Sequence, residues 1–139
     1  MAGSLTKEEI AHLDEFLGPL RIAVVATVGP TGMPQLTPNW FRFANGRLTI
    51  STTKERVKHR NLLRDDRLAA CIYSEPGAAD YVTLSGRARI VEDESLWPET
   101  QAITERYMVG ERVEEHMRRL RVQDRVILSM TPERVVFRY

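Results

Sequence analysis

The sequence is poor in several things at once: it has one cysteine in 139 residues, a formal net charge of only +1, and no long hydrophobic run. A single cysteine rules out an intrachain disulfide, and no pair of histidines stands at a metal-ligand spacing, so a zinc site has no support. A net charge near zero gives no global basic field to draw in nucleic acid. No apolar segment approaches the length of a bilayer span, and the N-terminus lacks the apolar core of a signal peptide. The expectation is a soluble cytoplasmic protein with no metal, no nucleic-acid partner and no membrane. Cys71 stands in the apolar run Leu68-Ala69-Ala70-Cys71-Ile72 and reads as a buried, inert thiol. Also missing are a Gly-rich dinucleotide fingerprint at a strand-to-helix turn and a nucleophile elbow, which argues against a Rossmann domain and a serine hydrolase.

The chain is long enough for a sizeable core but too short for two, so residues 1–139 are expected to form one domain. Thr6-Lys7-Glu8-Glu9 reads as a capping box opening a helix with Ile10, Leu13, Phe16 and Leu17 on one face; Gly18-Pro19 stops it. Residues 21–28 are β-branched and apolar and end at the turn Gly29-Pro30-Thr31-Gly32. Residues 35–43 and 47–53 read as strands around Asn45-Gly46, a strong hairpin dipeptide, which predicts a three-stranded antiparallel meander. A helix over 55–64 should turn Val57, Asn61, Leu62 and Leu63 inward, with its charged residues facing outward or towards a ligand. Residues 68–74 and 80–92 read as strands, the second carrying Gly86 at a bulge or bend. Residues 95–122 read as helix broken near Gly110, and 125–139 as a strand or strand pair interrupted at Thr131-Pro132. Strands outnumber helices and several are joined by short turns, which favours a small antiparallel barrel with peripheral helices.

Residues 33–64 carry the chemistry. Ser51, Thr52 and Thr53 end a strand and run into Lys54, Arg56, Lys58, His59 and Arg60 at a helix start. Hydroxyls, exposed N–H groups and a helix dipole at one junction suit a phosphate, with Lys as a point charge and Arg as a fork. A solvated helix face is the plainer reading of such a charge run. Upstream, Pro38 confines Gln35, Leu36, Thr37, Pro38, Asn39 and Trp40 to an edge or a bulge. Edge backbone beside Gln, Thr and Asn side chains can hydrogen-bond a flat heterocycle; equally, this is a polar strand face with Trp40 as a core aromatic. His12, His59 and His116 are scattered and carry no motif. Met117–Arg121 follows Glu111, Glu114 and Glu115, which reads as a charge-paired exposed helix rather than a nucleic-acid patch.

Taken together, "TGMPQLTPNWF", "NGRLTISTT", "ERVKHRNLLRDDRLAACI" and "YVTLSGRARIVED" resemble the pyridoxamine 5'-phosphate oxidase-like, split-barrel flavin-binding family over about residues 8–139. The short chain and its last segment, "RVILSMTPERVVFRY", resemble the group that uses the deazaflavin F420. The resemblance implies a mainly β fold: a split, FMN-binding-like barrel, antiparallel and Greek-key connected, with peripheral helices. It implies that Gln35 to Trp40 line an isoalloxazine-type ring, that Ser51 and Thr52, with Thr53 beside them, lie near the ribityl chain and phosphate, and that Arg56 and Lys58 hold the phosphate. It implies a homodimer with cofactor sites at the subunit interface, to which Tyr73, Ser74 and Tyr81 of the second chain would contribute. The longer C-terminal region with which the founding oxidases grip pyridoxal phosphate has no counterpart before Tyr139, so that oxidation is not expected. The function implied is an oxidoreductase passing hydride from reduced F420 to a small unsaturated or conjugated substrate. FMN is the alternative cofactor, and a non-catalytic flavin or haem carrier or sensor the alternative role. F420 adds an oligoglutamyl tail for which Lys54 and Arg60 would be partners. No side chain stands out as an obligatory acid or base.

Overall fold

The structure, a computed structural model, describes residues 4–138. Its elements run α1 (Lys7–Leu17), β1 (Ala23–Val28), β2 (Pro34–Asn39), β3 (Arg42–Ala44), β4 (Arg47–Thr53), α2 (Val57–Arg64), β5 (Arg67–Tyr73), β6 (Tyr81–Val91), α3 (Leu96–Tyr107), α4 (Glu111–Arg121) and β7 (Arg125–Arg138). The strands form one antiparallel sheet in the order β2-β1-β5-β6-β7-β4-β3, curled into the half-barrel of a split-barrel fold. Among the described residues no helix is long and apolar enough to cross a membrane.

Local chemistry explains most of these elements. The Thr6 hydroxyl accepts from the Glu9 N–H and the Glu9 carboxylate accepts from the Thr6 N–H, a complete capping box at α1. Asn45 and Gly46 both take positive φ, 54° and 71°, as the tight β3–β4 hairpin demands. Leu13, Phe16 and Leu17 of α1 plug the curl of the sheet, packing into one core with Phe41, Leu48, Ile50, Leu84 and Leu128.

The expected meander does not form. Residues 35–43 are not one strand but β2 and β3, which lie on opposite edges of the sheet. The chain breaks at Trp40 and Phe41: Phe41 is fully buried in the core, and its backbone is held by the Tyr107 hydroxyl. Two hairpins, β1–β2 and β3–β4, replace the meander. β2 has β1 as its single neighbour, so Pro34 and Pro38 do lie on an edge.

Three further expectations are corrected. In α2 the buried residues are Lys58, His59, Asn61 and Leu62, whereas Val57 and Leu63 are 41% and 68% exposed. The inward face is fixed by Leu62, which joins the core, and by Asn61, whose Nδ2 donates to Thr27 Oγ1 at 3.0 Å, and not by Val57 or Leu63. Cys71 is half-buried rather than buried. Residues 125–138 make one strand, the first of the two alternatives, without the expected interruption at Thr131-Pro132. Pro132 faces Gly86 and Arg134 faces Ser85, so Glu133 is absorbed in a bulge without a break. The final residue of that expected strand, Tyr139, lies outside the described residues.

β7 is covered on both faces, which accounts for the unbroken burial of Val126–Met130. Leu128 points into the α1 core, while Ile127 meets Leu96 and Ile103 of α3 in a second cluster beside Trp40 and Tyr107. This α3 layer walls one side of the cavity described next.

Candidate functional site

Where the edge strand β2 comes near the end of β4 and the start of β7, a cavity of about 420 Å³ opens. Its walls are the end of β2 with the Trp40 crossing, the end of β4, the start of α2, the inward faces of α3 and α4, and the start of β7. Of the eleven residues singled out from sequence, nine line it: Thr37, Pro38, Asn39, Trp40, Ser51, Thr52, Thr53, Arg56 and Lys58. Gln35 and Leu36 do not. Leu36 is 59% exposed and lies further from the cavity along the edge strand, two residues before Pro38. Gln35 lies further down the edge, its Oε1 buried without a hydrogen-bond partner.

One wall is cationic. Arg56 caps α2 without a side-chain cap bond, which leaves first-turn N–H groups of the helix for a ligand or water. Lys58 is buried and lines the cavity, the second of the two placements expected for the charges of this helix. Arg125 enters from β7, donating from Nε and Nη2 to Ser51 Oγ at 3.1 and 3.0 Å and from Nη1 to Gln123 Oε1 at 2.6 Å. None of the residues lining the cavity is Asp or Glu. Burial, then repulsion from Arg56 and Arg125, lowers the Lys58 pKa; burial and Arg56 lower that of Arg125. Three cations thus crowd one wall with no carboxylate among them, an arrangement an anion relieves.

The remaining basic residues of residues 54–60 are otherwise engaged. Lys54 pairs with Glu92 at 3.2 Å and Asp124 at 3.7 Å, and Arg60 donates to the Glu55 carbonyl at 3.0 Å. His59 is buried on the other side of the helix turn, with neither ring nitrogen hydrogen-bonded.

The opposite wall is aromatic and apolar. The Trp40 indole stacks on Tyr107 with centroids 4.8 Å apart and planes 5° from parallel, while the His116 ring tilts against it at 5.7 Å. Tyr107 is itself fixed, donating its hydroxyl to the Arg21 carbonyl at 2.8 Å and accepting from the Phe41 N–H at 3.2 Å. Ile103 and Leu120 extend the apolar surface. Thr100 and Thr104 spend their hydroxyl protons on the Leu96 and Thr100 carbonyls, at 2.6 and 2.9 Å. Asn39 turns its amide back onto Thr37, donating to its carbonyl at 2.7 Å and its Oγ1 at 3.0 Å. The cavity therefore has a pole for an anion and a pole for a flat apolar group.

Sequence reasoning missed Arg125, His116, Thr100, Ile103, Thr104 and Leu120. Arg125 had no local signal, since its place follows from pairing opposite Thr53 in the β4–β7 register. His116 and Leu120 stand at an i, i+4 spacing on α4, a shared face that was legible but had no known partner. The expected charge pairing of α4 is partly present: Arg119 meets Glu115 at 3.7 Å, whereas Arg121 lies over the Trp97 ring at 5.0 Å.

Comparison with known proteins agrees with this architecture. A solved F420 reductase shares 24% identity, covering 88% of this chain and 94% of its own, with a TM-score of 0.71. A conserved hypothetical protein of Mycobacterium tuberculosis shares 26% identity over 96% of this chain and 84% of its own, with a TM-score of 0.76. General Stress Protein 26 of Bacillus anthracis, at 14% identity, covers 94% of this chain and 93% of its own at a TM-score of 0.67. No curated protein matches the sequence significantly. The family model described as pyridoxamine 5'-phosphate oxidase matches residues 10–139, nearly the whole chain. With that match and the half-barrel sheet, the chain belongs to the pyridoxamine 5'-phosphate oxidase-like split-barrel family.

Proposed function

We propose that this cavity holds a phosphorylated flavin-type cofactor, with F420 as the leading candidate and FMN as the alternative, and that the protein is an oxidoreductase acting on a small unsaturated or conjugated molecule. The observation that carries the reading is the polarity of the cavity: Arg56, Lys58 and Arg125 without a carboxylate on one wall, Trp40, Ile103 and Leu120 on the other. The donor set fits the group. Lys58 and Arg56 would neutralise a phosphate, Ser51 and Thr53 would hydrogen-bond it, and Trp40 with the α3 side chains would cover a planar ring and keep water from it. When bound, reduced deazaflavin supplies a hydride; the protein supplies orientation, a dry wall and placed charge.

The preference for F420 rests on charge. F420 carries tail carboxylates in addition to its phosphate, and the wall offers three cations rather than the pair expected from sequence. Lys54 and Arg60, first considered for the tail, are committed elsewhere, and Arg125 takes that place. The likeness in fold to a protein named as an F420 reductase supports the same choice.

The proposal includes a cytoplasmic homodimer. The outer face of β2, β1, β5, β6 and β7 carries half-buried or exposed residues such as Leu36, Ala26, Ala69, Thr83 and Val136, aligned across the sheet by the strand registers. Arg67, Arg87 and Arg134 share that face, and a second copy is the natural cover for its small and apolar stretch. Tyr73, Ser74 and Tyr81 lie at one end of it and would reach the partner's cavity.

The test is titration of the cofactor-free protein with F420 and, separately, with FMN, followed by fluorescence and absorbance. F420 binding tighter than FMN is the expected result. The reverse order moves the protein to the FMN branch, and binding of neither refutes the reading.

A further inference from the structure

Four groups lining the cavity carry or acquire positive charge: Arg56 and Lys58 of α2, Arg125 of β7 and His116 of α4. The first three extend a phosphate site whose logic was visible in the sequence. His116 was assigned nothing, yet its ring lies against Trp40, where the cationic and apolar walls meet. Neither of its nitrogens is engaged by another side chain or by backbone among the described residues, whereas nearby Tyr107, Thr100 and Thr104 spend their hydroxyls within the protein.

We infer that His116 is a direct contact for the anionic ligand of this cavity, and that the ligand binds together with a proton taken up on the imidazole. The inference rests on the anion site proposed above and adds to it a residue and a linkage.

The charged groups that face His116 all point the same way. From its own helix comes Arg119; from β7, Arg125; across the cavity stand Arg56 and Lys58 of α2. α3 presents Thr100, Ile103 and Thr104, and the β2–β3 crossing presents Trp40, all uncharged. Burial, with repulsion from Arg119 and then Arg125, holds the imidazole below its ordinary pKa, so the ligand-free protein leaves it neutral at pH 7. A bound anion reverses the local field and favours imidazolium. The sign follows: affinity is greatest below the free-state pKa and falls as pH rises to and through the raised, bound-state pKa. Each unit of rise makes the low-pH affinity about tenfold tighter than the high-pH affinity.

The experiment is an NMR titration of the three imidazoles, sequence-assigned, from pH 5 to 9. It is run on the protein alone, with saturating F420, with FMN, and with sulfate at constant ionic strength, because sulfate keeps its charge over this range. His12, exposed on α1, is the internal control. The expected result is a rise of about one unit or more at His116 with an anion bound, and none at His12. In parallel, His116→Gln flattens the pH dependence of F420 affinity between pH 6 and 8. If either cofactor binds by fluorescence and His116 does not move, the inference falls and the cofactor reading stands. If sulfate moves His116 while neither cofactor binds, the inference stands and the cofactor reading falls. If nothing moves His116, the inference is overturned.

Discussion

Lys58 is the residue at which stability and binding should part company. It is 5% exposed, lies beside two arginines, and makes no ion pair among the described residues. Replacing it with Met keeps an unbranched apolar stem and removes only the ammonium. At an effective dielectric of about 20, two like charges about 8–10 Å apart repel by about 2 kcal/mol. With two arginine neighbours and partial screening by salt, Lys58→Met should stabilise the ligand-free protein by about 1–2 kcal/mol at pH 7. That corresponds to a rise of about 3–7 °C in Tm for a domain of this size. The pH dependence carries a second signature. The folded-state pKa of Lys58 lies below its unfolded value of 10.5, so the penalty is fully present below the folded pKa and is relieved as pH rises towards 10.5. Wild type and variant should therefore converge in stability at alkaline pH. Binding should move the opposite way, weakening about 30-fold or more, because a buried charge partner of the ligand is gone. Scanning calorimetry from pH 7 to 10.5 and fluorescence titration read the two halves. A variant several kcal/mol less stable than wild type, with unchanged cofactor affinity, would show that Lys58 is structural and refute the anion wall.

Two further substitutions test the frame that holds the cavity. Gly86→Ala should cost about 1–3 kcal/mol by chemical denaturation, since the added Cβ would stand 2.9 Å from the Thr131 carbonyl oxygen, a backbone atom that moves only with β7; an unchanged midpoint would mean the bulge yields freely. Tyr107→Phe keeps the stack on Trp40 but removes the donor to the Arg21 carbonyl and the acceptor for the Phe41 N–H, so a loss of about 1–3 kcal/mol is expected, with altered Trp fluorescence and weaker cofactor binding; full retention of all three would show that the crossing is held by Phe41 burial alone.

What the sequence disclosed, and what it withheld, divides by range of interaction. The capping box at Thr6, the Asn45-Gly46 hairpin, the helix break at Gly110 and the bulge at Gly86 were each legible because a few neighbouring residues decide them. That Ser51, Thr52, Thr53, Arg56 and Lys58 would share one cavity was legible for the same reason: they belong to a single stretch of chain. Lys58 lines that cavity, but the depth of its burial was not legible, because the inward face of α2 is tied down by Asn61 reaching Thr27, a partner more than thirty residues away. Arg125 and His116 were invisible as site residues because one depends on the β4–β7 register and the other on how α4 folds back over α3. Val57 and Leu63 show the converse error, apolar residues assigned to a core that the helix does not turn them towards.

The break at Trp40 and Phe41 connects the fold to the site. Had residues 35–53 formed the local meander that their pattern favours, Thr37 to Trp40 would sit beside Ser51 to Thr53 as neighbouring strands, and no space would separate them. Instead β2 and β4 belong to opposite halves of the sheet, with β1, β5, β6 and β7 between them. Both nonetheless border one cavity, so the sheet must curl until β2 faces β4 across a gap. The gap is bridged by two residues, one buried in the core and the other stacked on α3. Phe41 thus anchors the crossing, while Trp40 gives the cavity its flat wall. A change that relaxed this crossing would alter the separation between the cationic and aromatic walls, and with it the length of ligand the cavity can span. The local rule that failed is, on this view, the one whose failure creates the site.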